Sequence, residues 1–547
     1  MCNHAMKNIK YTTLATFDLV LYYCSLLSDL IISVNMKLST QFFLNRFELK
    51  RLVKISCAFI TLGFLVSLIL VPQLINCIVK YLTILKPGRF IRTKHEKPLP
   101  FQYKLFIWNI TNPDEINKNI AKPKLQEIGP YVFTQYKQNI NIEDNEKEDS
   151  YTFDMTNVYK FRPDLSFPYN GDEKLTILNL VLVSGIVKIQ NEKPHLLDVV
   201  MKGMDFVFNN PTSIFLSTTA DEFIHQGIFI NCSQTEFSAK ALCAEFRVAR
   251  TLKLIEDDKF RLRYKWFDKL NNSIQARYTL NRGAKNVNDI GKIIRVNNEP
   301  TQKIYKQYEL CNVINGTDKT FFHPFQKKQE TIWVYSHDAC ISFPLVFSEM
   351  AVLRGARTAY RNLYLSDPLM NADCNCNPYN NCSVPKGTID MHSCLDIFVL
   401  GSLPHFYLAE NNVRESLEGM KPTKKLHQTG IYFDLITGVP IRSLERFQVN
   451  FRLNKVKEYP IMSNLPDHIW IPAFWYEESF TPLKPDLALM ILSQGSSFFG
   501  TLSGYVLISI GVLGLVIAVI KKKNQTKNIP IENGIRTIQE NYTSDSA

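Results

Sequence analysis

The pattern of apolar and polar residues separates two long apolar runs from a mixed segment between them. Residues 55–79 (ISCAFITLGFLVSLILVPQLINCIV) and 498–520 (FFGTLSGYVLISIGVLGLVIAVI) contain no charged side chain. Each run is long enough to cross a bilayer, which takes about 20 residues. A buried core helix is the alternative, but core helices rarely stay uncharged over such a length. The pattern therefore predicts two membrane-spanning helices.

Basic residues flank both runs on the side of the chain termini. They are Arg46, Lys50, Arg51 and Lys54 before the first run, and Lys521, Lys522 and Lys523 after the second. Because Lys and Arg favour the cytoplasmic side, we expect a two-span plasma-membrane protein with both termini in the cytoplasm. The predicted segments are a cytoplasmic N-terminus (36–54), two spans (55–79 and 498–520), an extracellular domain (80–497) and a cytoplasmic tail (521–547).

Residues 1–35 do not fit this scheme well. The stretch 14–34 is apolar enough for a third span, but it carries Asp18 and Asp29. Each aspartate costs about 2.5–3.5 kcal/mol near the membrane centre. A signal peptide would need a more basic start and a clear cleavage site. We therefore predict that residues 1–35 are a doubtful leader, an extension of the gene model, and that the functional protein begins at Met36.

The segment between the spans mixes strand and helix patterns. Period-two alternation predicts strands at 103–110, 131–136, 150–161 and 447–456, and two more within 259–283. Helical spacing predicts helices at 196–208, 213–226 and 236–250. With no repeats and no long linker, these elements favour one large α+β domain rich in antiparallel strands.

Charge and motifs exclude several function classes. The chain has 63 Lys and Arg against 51 Asp and Glu, a net charge of +12. These residues are scattered, without the basic stripe of a nucleic-acid-binding protein. The sequence lacks the G-x-S-x-G, P-loop, G-x-G-x-x-G and H-E-x-x-H motifs. We therefore expect neither an enzyme nor a cofactor, and no nucleic-acid partner.

Cysteines are concentrated in the segment predicted to be extracellular. Eight lie there: Cys232, Cys243, Cys311, Cys340, Cys374, Cys376, Cys382 and Cys394. An even number in an oxidising compartment favours disulfides. The spacings C-x-C, C-x₅-C and C-x₁₁-C fit zinc, the alternative, less well. Spacing makes Cys376–Cys382 a natural local bridge across a turn-rich loop and argues against Cys374–Cys376. It leaves the remaining pairs open.

Five N-x-S/T sites in the same segment are candidate glycosylation sites: Asn109, Asn231, Asn271, Asn315 and Asn381. Small residues recur four apart in both spans, at Gly63 and Ser67 and at Gly500 and Gly504. Such spacing permits close helix contact, either between the two spans or with a partner protein. Glycine is also common in membrane helices in general, so the spacing does not decide between these interpretations.

A set of motifs spread over almost all of residues 51–523 resembles a known family. The motifs are NITNPDE (109–115), AKPKLQEIGPYVF (121–133), CNVINGTDKTFFHPF (311–325), SLPHFYLA (402–409), DLITGVPI (434–441), RFQVNF (446–451) and IPAFWYEE (471–478). Together they resemble the class B scavenger receptors. INCSQTEFSAKALC (230–243) resembles the insect sensory neuron membrane protein branch in particular.

The resemblance implies a fold and a set of disulfides. The implied fold is an extracellular antiparallel β-barrel-like core with an apical helical bundle and an internal apolar tunnel, anchored by two transmembrane helices. The implied pairs are Cys311–Cys374, Cys340–Cys394 and Cys376–Cys382. Cys232 and Cys243 then remain, and we predict that they form a fourth bridge.

The resemblance also implies a ligand route that begins at the apical stretch. Candidate lining residues there are Lys202, Phe206, Phe208, Ile214 and Phe215, although they could equally well only pack the bundle. Some members of the family carry a lysine pair in this stretch, where this chain reads FNNPTS (208–213). This difference argues against capture of a fatty-acid carboxylate and leaves uncharged esters, acetates or aldehydes.

The function we predict from the sequence is that of a non-enzymatic lipid receptor and transfer protein in olfaction. It captures apolar acyl ligands of the pheromone or odorant type and passes them to the membrane or to an odorant-receptor channel partner. A general scavenger receptor for lipoproteins, fatty acids or cell debris is the alternative.

Overall fold

A computed structural model describes residues 46–248, 255–258, 261–264, 267, 271–305, 309–363, 384–480 and 484–543. The chain divides into two compact units. One comprises Met1–Val79 and Leu492–Ala547, and we call it the helix-pair unit. The other comprises Lys80–Ile491 and is called the β-rich unit.

The α-helices vary from a single turn to a helix that includes a candidate span. In the described parts of the chain they are α1 Arg46–Leu65, α2 Val71–Thr83, α3 Phe90–His95, α4 Pro113–Asn117, α5 Pro163–Ser166, α6 Leu180–Glu192, α7 Leu197–Val207, α8 Phe237–Val248, α9 His392–Leu395, α10 Asn411–Glu415, α11 Lys424–His427 and α12 Lys484–Thr543. A π-helical turn, Val66–Leu70, joins α1 to α2.

The strands all belong to the β-rich unit. In the described residues they are β1 Leu99–Ile110, β2 Leu125–Asn145, β3 Ser150–Phe161, β4 Lys174–Leu178, β5 Phe215–Thr219, β6 Ile228–Asn231, β7 Ile255–Asp258, β8 Arg261–Tyr264, β9 Ile274–Asn281, β10 Ile293–Val296, β11 Ile332–Ser336, β12 Ile341–Leu353, β13 Ala356–Leu363, β14 Thr388–Asp390, β15 Val399–Ser402, β16 Gly430–Phe433, β17 Pro440–Leu453 and β18 Ile469–Phe480.

One 13-stranded antiparallel sheet dominates this unit. Its main path runs β10-β9-β3-β2-β1-β18-β17-β16-β13-β12-β11, and β15 joins β14 to β17. Strands β4 and β5 form a second sheet, and β6, β8 and β7, in that order, form a third. The sheet confirms the predicted α+β class with antiparallel strands. It is not closed into a barrel by strand pairing, because β10 and β11 are opposite edges of the path.

A short segment connects those two edges. The amide of Ile293, in β10, donates to the carbonyl of Gly316 at 2.9 Å. The amide of Thr317 donates to the carbonyl of Trp333, in β11, at 3.2 Å. Gly316 and Thr317 thus satisfy backbone groups that an open sheet edge would leave unpaired.

Most predicted elements are present, and one is of the wrong type. Strand β3 has the predicted bounds, and α7 and α8 lie within the predicted helices 196–208 and 236–250. The predicted helix 213–226 is wrong, because its first half forms strand β5 beside β4. Ile214, Phe215, Thr218 and Thr219 are β-branched or aromatic, and such residues are enriched in strands.

In the described part of the chain, two helical stretches are long and apolar enough to cross a membrane, and most of their residues belong to the helix-pair unit. They are Arg51–Thr83 and Gln494–Lys521, and they include the predicted spans. The two stretches pack closely through small residues. A β-carbon placed on Gly63 would lie 2.5 Å from the carbonyl oxygen of Gly504, and one on Gly504 would lie 2.5 Å from the Ser67 β-carbon. The small-residue spacing is therefore a contact between the spans.

Helices α6, α7 and α8 pack together within the β-rich unit. Helix α6 is buried along Leu180–Val187 except at Gly185, and the side chain of Asn179 caps its N-terminus by accepting from the amide of Leu182 at 3.1 Å. A helix that is apolar on most sides belongs in a core. Its contact with β17 ties the helical cluster to the main sheet.

Candidate ligand cavities and their charged wall

Two cavities are lined by strands of the main sheet. The first, which we call the β11 cavity, has an empty volume of about 600 Å³ and is lined by β11, β12, β13, β16, β17 and β18. The second, the β1 cavity, has about 630 Å³ and is lined by β1, β2, β17 and β18, with helix α3 and residues 318–321. Both volumes include open solvent at the cavity mouths.

Apolar side chains form most of the β11 cavity. They include Val334, Phe343, Leu345, Leu363, Ile431 and Phe447. Tyr476 also lines it and stacks on Tyr103, with ring centroids 5.3 Å apart. Tyr103 in turn packs against Tyr159 and Phe267. Packed rings therefore form the wall behind Tyr476, and a continuous tunnel through the unit stays a prediction.

A charged pair lies in the wall that the two cavities share. Lys319, Ser443 and Glu445 line both of them. The ammonium of Lys319 lies 2.5 Å from a carboxylate oxygen of Glu445. Each of these side chains keeps 24% of its surface accessible. Since both line the cavities, this surface is available to a molecule inside them.

The strand register explains why the charges meet here. Successive side chains of a strand alternate between faces, so Ser443, Glu445 and Phe447 share one face of β17. Glu445 lies directly opposite Glu478 of β18. Two like charges in opposite positions repel each other. Lys319 offsets one carboxylate, and Lys137 offsets the other at 2.6 Å from Glu478.

Burial and pairing shift the pKa values of this group in opposite directions. Burial acts to raise the pKa of Glu445, but the neighbouring Lys319 and Lys137 lower it overall. Burial acts to lower the pKa of Lys319, but the attraction of Glu445 raises it overall. The pair is therefore ionised. Asp318, beside Lys319, has its pKa raised by burial, against hydrogen bonds from Thr320 that lower it.

The five apical candidates do not line either of these cavities. Ile214 and Phe215 are buried in the main core, and Phe206 and Phe208 pack against it half-buried. Lys202 is exposed on α7. The FNNPTS stretch forms the turn after α7, with Asn209 and Asn210 in the left-handed region. A ligand route through these residues stays a prediction.

Two disulfides lie in the described residues, and one of them adjoins the wall of the β11 cavity. Cys340 is bonded to Cys394 of helix α9, and the preceding Asp338 and Ala339 line the cavity. Cys232 is bonded to Cys243 of α8. From their sequence separations of 54 and 11, chain-entropy estimates give roughly 4 and 3 kcal/mol of stabilisation.

The other predicted bridges lie partly outside the described residues. Cys311 is disulfide-bonded. Cys374, Cys376 and Cys382 are outside the described residues, so the pairs Cys311–Cys374 and Cys376–Cys382 stay predictions. No group of three or more His, Cys, Asp or Glu side chains arranged to hold a metal occurs in the part of the chain that the structure describes.

The candidate glycosylation sites differ in exposure. Asn315 is exposed. Asn109, Asn231 and Asn271 are half-buried, and the side-chain oxygen of each accepts a hydrogen bond from a backbone amide. Asn381 lies outside the described residues. Modification at all five stays a prediction.

Comparison with known proteins places the chain in a family. A family model described as "CD36 family" matches residues 54–522. This match runs from the first candidate span to the end of the second, and it contains the whole β-rich unit. The chain belongs to the CD36 family. The resemblance drawn from the sequence motifs is confirmed, and the CD36-family protein described here is a membrane protein with two candidate spans.

Named relatives of this CD36-family chain come from insects. It is 34% identical over 397 residues to sensory neuron membrane protein 1 of Aedes aegypti, and the alignment covers 72% of this chain and 73% of the relative. It is 30% identical over 498 residues to the protein of the same name from Anopheles gambiae, covering 88% and 89%. The Antheraea polyphemus protein of that name is 32% identical over 423 residues, covering 76% and 79%.

The sequence interpretation missed the charged wall. Lys319 and Glu478 fall in segments that were noted only as family motifs, and Lys137 and Glu445 lie just outside the predicted strands and motifs. The available signal was a charged residue between apolar or aromatic ones of the same strand parity, as in Tyr476, Glu478 and Phe480. A charged residue at such a position lies on a strand face whose other side chains are apolar or aromatic.

Proposed function

We propose that this CD36-family protein is a plasma-membrane receptor that captures apolar acyl ligands and passes them to the membrane or to a partner receptor in olfaction. In this proposal the β-rich unit is extracellular and both termini are cytoplasmic. The observation that carries the proposal is the pair of cavities against the main sheet. Aliphatic and aromatic side chains form most of the β11 cavity wall and about half of the β1 cavity wall. The insect relatives named for sensory neurons support the sensory role.

The apolar part of the cavity lining favours acyl chains. Burial of each methylene is worth about 0.8 kcal/mol, so a chain of about ten methylenes gains roughly 8 kcal/mol before the costs of association. The β11 cavity offers rings and branched side chains over most of its wall. A flexible chain can follow such a wall without any specific polar contact along its length.

A binding role requires no reacting group. The proposal accordingly assigns capture and release to this protein, and no bond-breaking step. The general scavenger alternative predicts broad affinity for lipoproteins and anionic particles, together with expression in gut, fat body or haemocytes. The olfactory proposal predicts expression in antennal sensory tissue.

Direct binding tests the proposal. The full chain in nanodiscs is incubated with radiolabelled methyl hexadecanoate, and empty nanodiscs of the same lipid provide the blank. We expect saturable binding above the blank that unlabelled ester displaces. Binding that never exceeds the blank, at any ester concentration, would contradict the proposed function.

A further inference from the structure

The two cavities meet at an ion pair rather than at an apolar constriction. Lys319, Ser443 and Glu445 are the residues common to both linings. On one side the β11 cavity is mostly apolar, and on the other Phe101, Phe321 and Phe480 contribute rings to the β1 cavity. The polar end or the chain of an acyl ligand in either cavity would therefore lie beside this pair.

Charged groups of both signs surround the pair. Asp338 lines the β11 cavity, Asp318 and Glu478 line the β1 cavity, and Glu445 lines both. Lys137 and Lys319 are 2.6 Å and 2.5 Å from their carboxylate partners. Arg446 also lines the β11 cavity and pairs with Glu477 at 2.6 Å.

Helix α3 adds one further lysine and a neutral histidine to the β1 cavity. Lys94 lies 5.6 Å from the centre of the Phe480 ring. His95 has its pKa lowered to about 3, chiefly by burial and further by Arg92. His95 therefore remains uncharged at neutral pH.

We infer that the Lys319–Glu445 pair is a head-group subsite that accepts an uncharged carbonyl, such as that of an ester or aldehyde, and rejects a carboxylate. The Lys319 ammonium has three N–H donors, and Glu445 uses only part of that capacity. A neutral carbonyl can take another donor while the pair stays intact. A ligand carboxylate must instead compete with Glu445 for the lysine and lie beside its negative charge.

This inference rests on the proposed function and adds the class of head group. It stands apart from the apical FNNPTS stretch, because it concerns residues inside the main sheet. Selection by repulsion of the wrong ligand is as effective as selection by attraction of the right one. Glu445 is the residue that supplies the repulsion.

Glu445→Gln tests the inference. The substitution keeps the shape of the side chain, removes its charge and leaves Lys319 without its carboxylate partner. The full chain in nanodiscs is titrated at pH 7.5 with labelled hexadecanoic acid and with its methyl ester. We expect the wild type to favour the ester by about tenfold. In the variant, the affinity for the acid should rise about tenfold and the affinity for the ester should change by less than about twofold.

The exposed ion pair Lys303–Glu299 provides the matched control, because its side chains are 75% and 51% accessible. Glu299→Gln removes the same charge at the surface and should leave both affinities unchanged. Glu478→Gln, which releases Lys137 in the same way, is the second variant if Glu445→Gln does not fold. We expect a smaller gain for the acid there, because Glu478 lines only the β1 cavity.

The outcomes separate the two claims. If the wild type binds neither ligand above the blank, the proposed function fails. If the wild type binds the ester but the ratio of acid to ester affinity is the same in wild type and both variants, the subsite is wrong and the proposed function stands. A wild type that prefers the free acid also overturns the subsite.

Discussion

Gly316 lies so close to Trp333 that a β-carbon on the glycine would sit 2.0 Å from the tryptophan carbonyl oxygen. Gly316 also has a φ of +93°, which side chains rarely tolerate. This contact holds the segment that connects the edge strands β10 and β11. The connection between the two edge strands therefore requires a glycine at position 316.

Gly316→Ala should destabilise the β-rich unit by roughly 3 kcal/mol or more, because it combines backbone strain of about 1–3 kcal/mol with a backbone clash. Gly88→Ala is the matched control. Gly88 has a φ of +75° but has nothing within 4 Å of the added carbon, so it should show the strain alone. The midpoint of thermal unfolding, followed by tryptophan fluorescence, measures the difference. Equal midpoints in the two variants would disprove the role given to the Gly316 contact.

His95 should make stability depend on pH. Its ring is enclosed by Tyr151, Phe153 and Phe321, and burial, with a smaller effect of Arg92, lowers its pKa to about 3. The unfolded chain protonates histidine near pH 6.5. The stabilisation that neutral His95 gives the folded state is therefore complete above pH 6.5, and it is lost as the pH falls from there toward 3. We expect a loss of roughly 2 kcal/mol from this residue at pH 5.

Urea unfolding at pH 7.5 and pH 5 measures this dependence. His95→Gln should reduce the difference in unfolding free energy between the two pH values by about 2 kcal/mol. His195→Gln, at an exposed position, is the control and should leave the difference as it is. A His95→Gln variant with the wild-type pH dependence would show that this histidine is not the titrating group.

The contact between the spans can be tested by cross-linking. The Ser56 β-carbon lies 3.3 Å from the position of a β-carbon on Gly514, close to the separation found in disulfides. Ser56→Cys with Gly514→Cys, in a Cys57→Ser background, should therefore cross-link the two spans. Adding Gly504→Leu should reduce the cross-linked fraction by about tenfold, because it removes about 1–2 kcal/mol of helix contact.

Gly495→Leu is the control for that experiment, since nothing lies within 4 Å of a β-carbon at Gly495. It should leave the cross-linked fraction unchanged. Equal yields with Gly504→Leu and Gly495→Leu would contradict the packing of the spans through Gly63 and Gly504.

The sequence predicted much of the fold because the local signals were strong. The bounds of β3 followed from simple alternation, and both candidate spans followed from long uncharged runs. The charged wall could not be found in this way, because both faces of β17 are buried. Arg446, on the other face, is also buried and pairs with Glu477 at 2.6 Å. Because both faces carry charge, the alternation along β17 does not show which charged residues line a cavity.

The central claim, that an acyl ligand occupies the interior of the main sheet, is tested most directly by photolabelling. A methyl ester with a diazirine at the end of its acyl chain is cross-linked to the full chain in nanodiscs, and the labelled peptides are identified by mass spectrometry. We predict labels on cavity-lining segments of β11, β12 or β17 that excess methyl hexadecanoate suppresses. Labels confined to the spans or the outer surface, with no effect of the competitor, would contradict the claim.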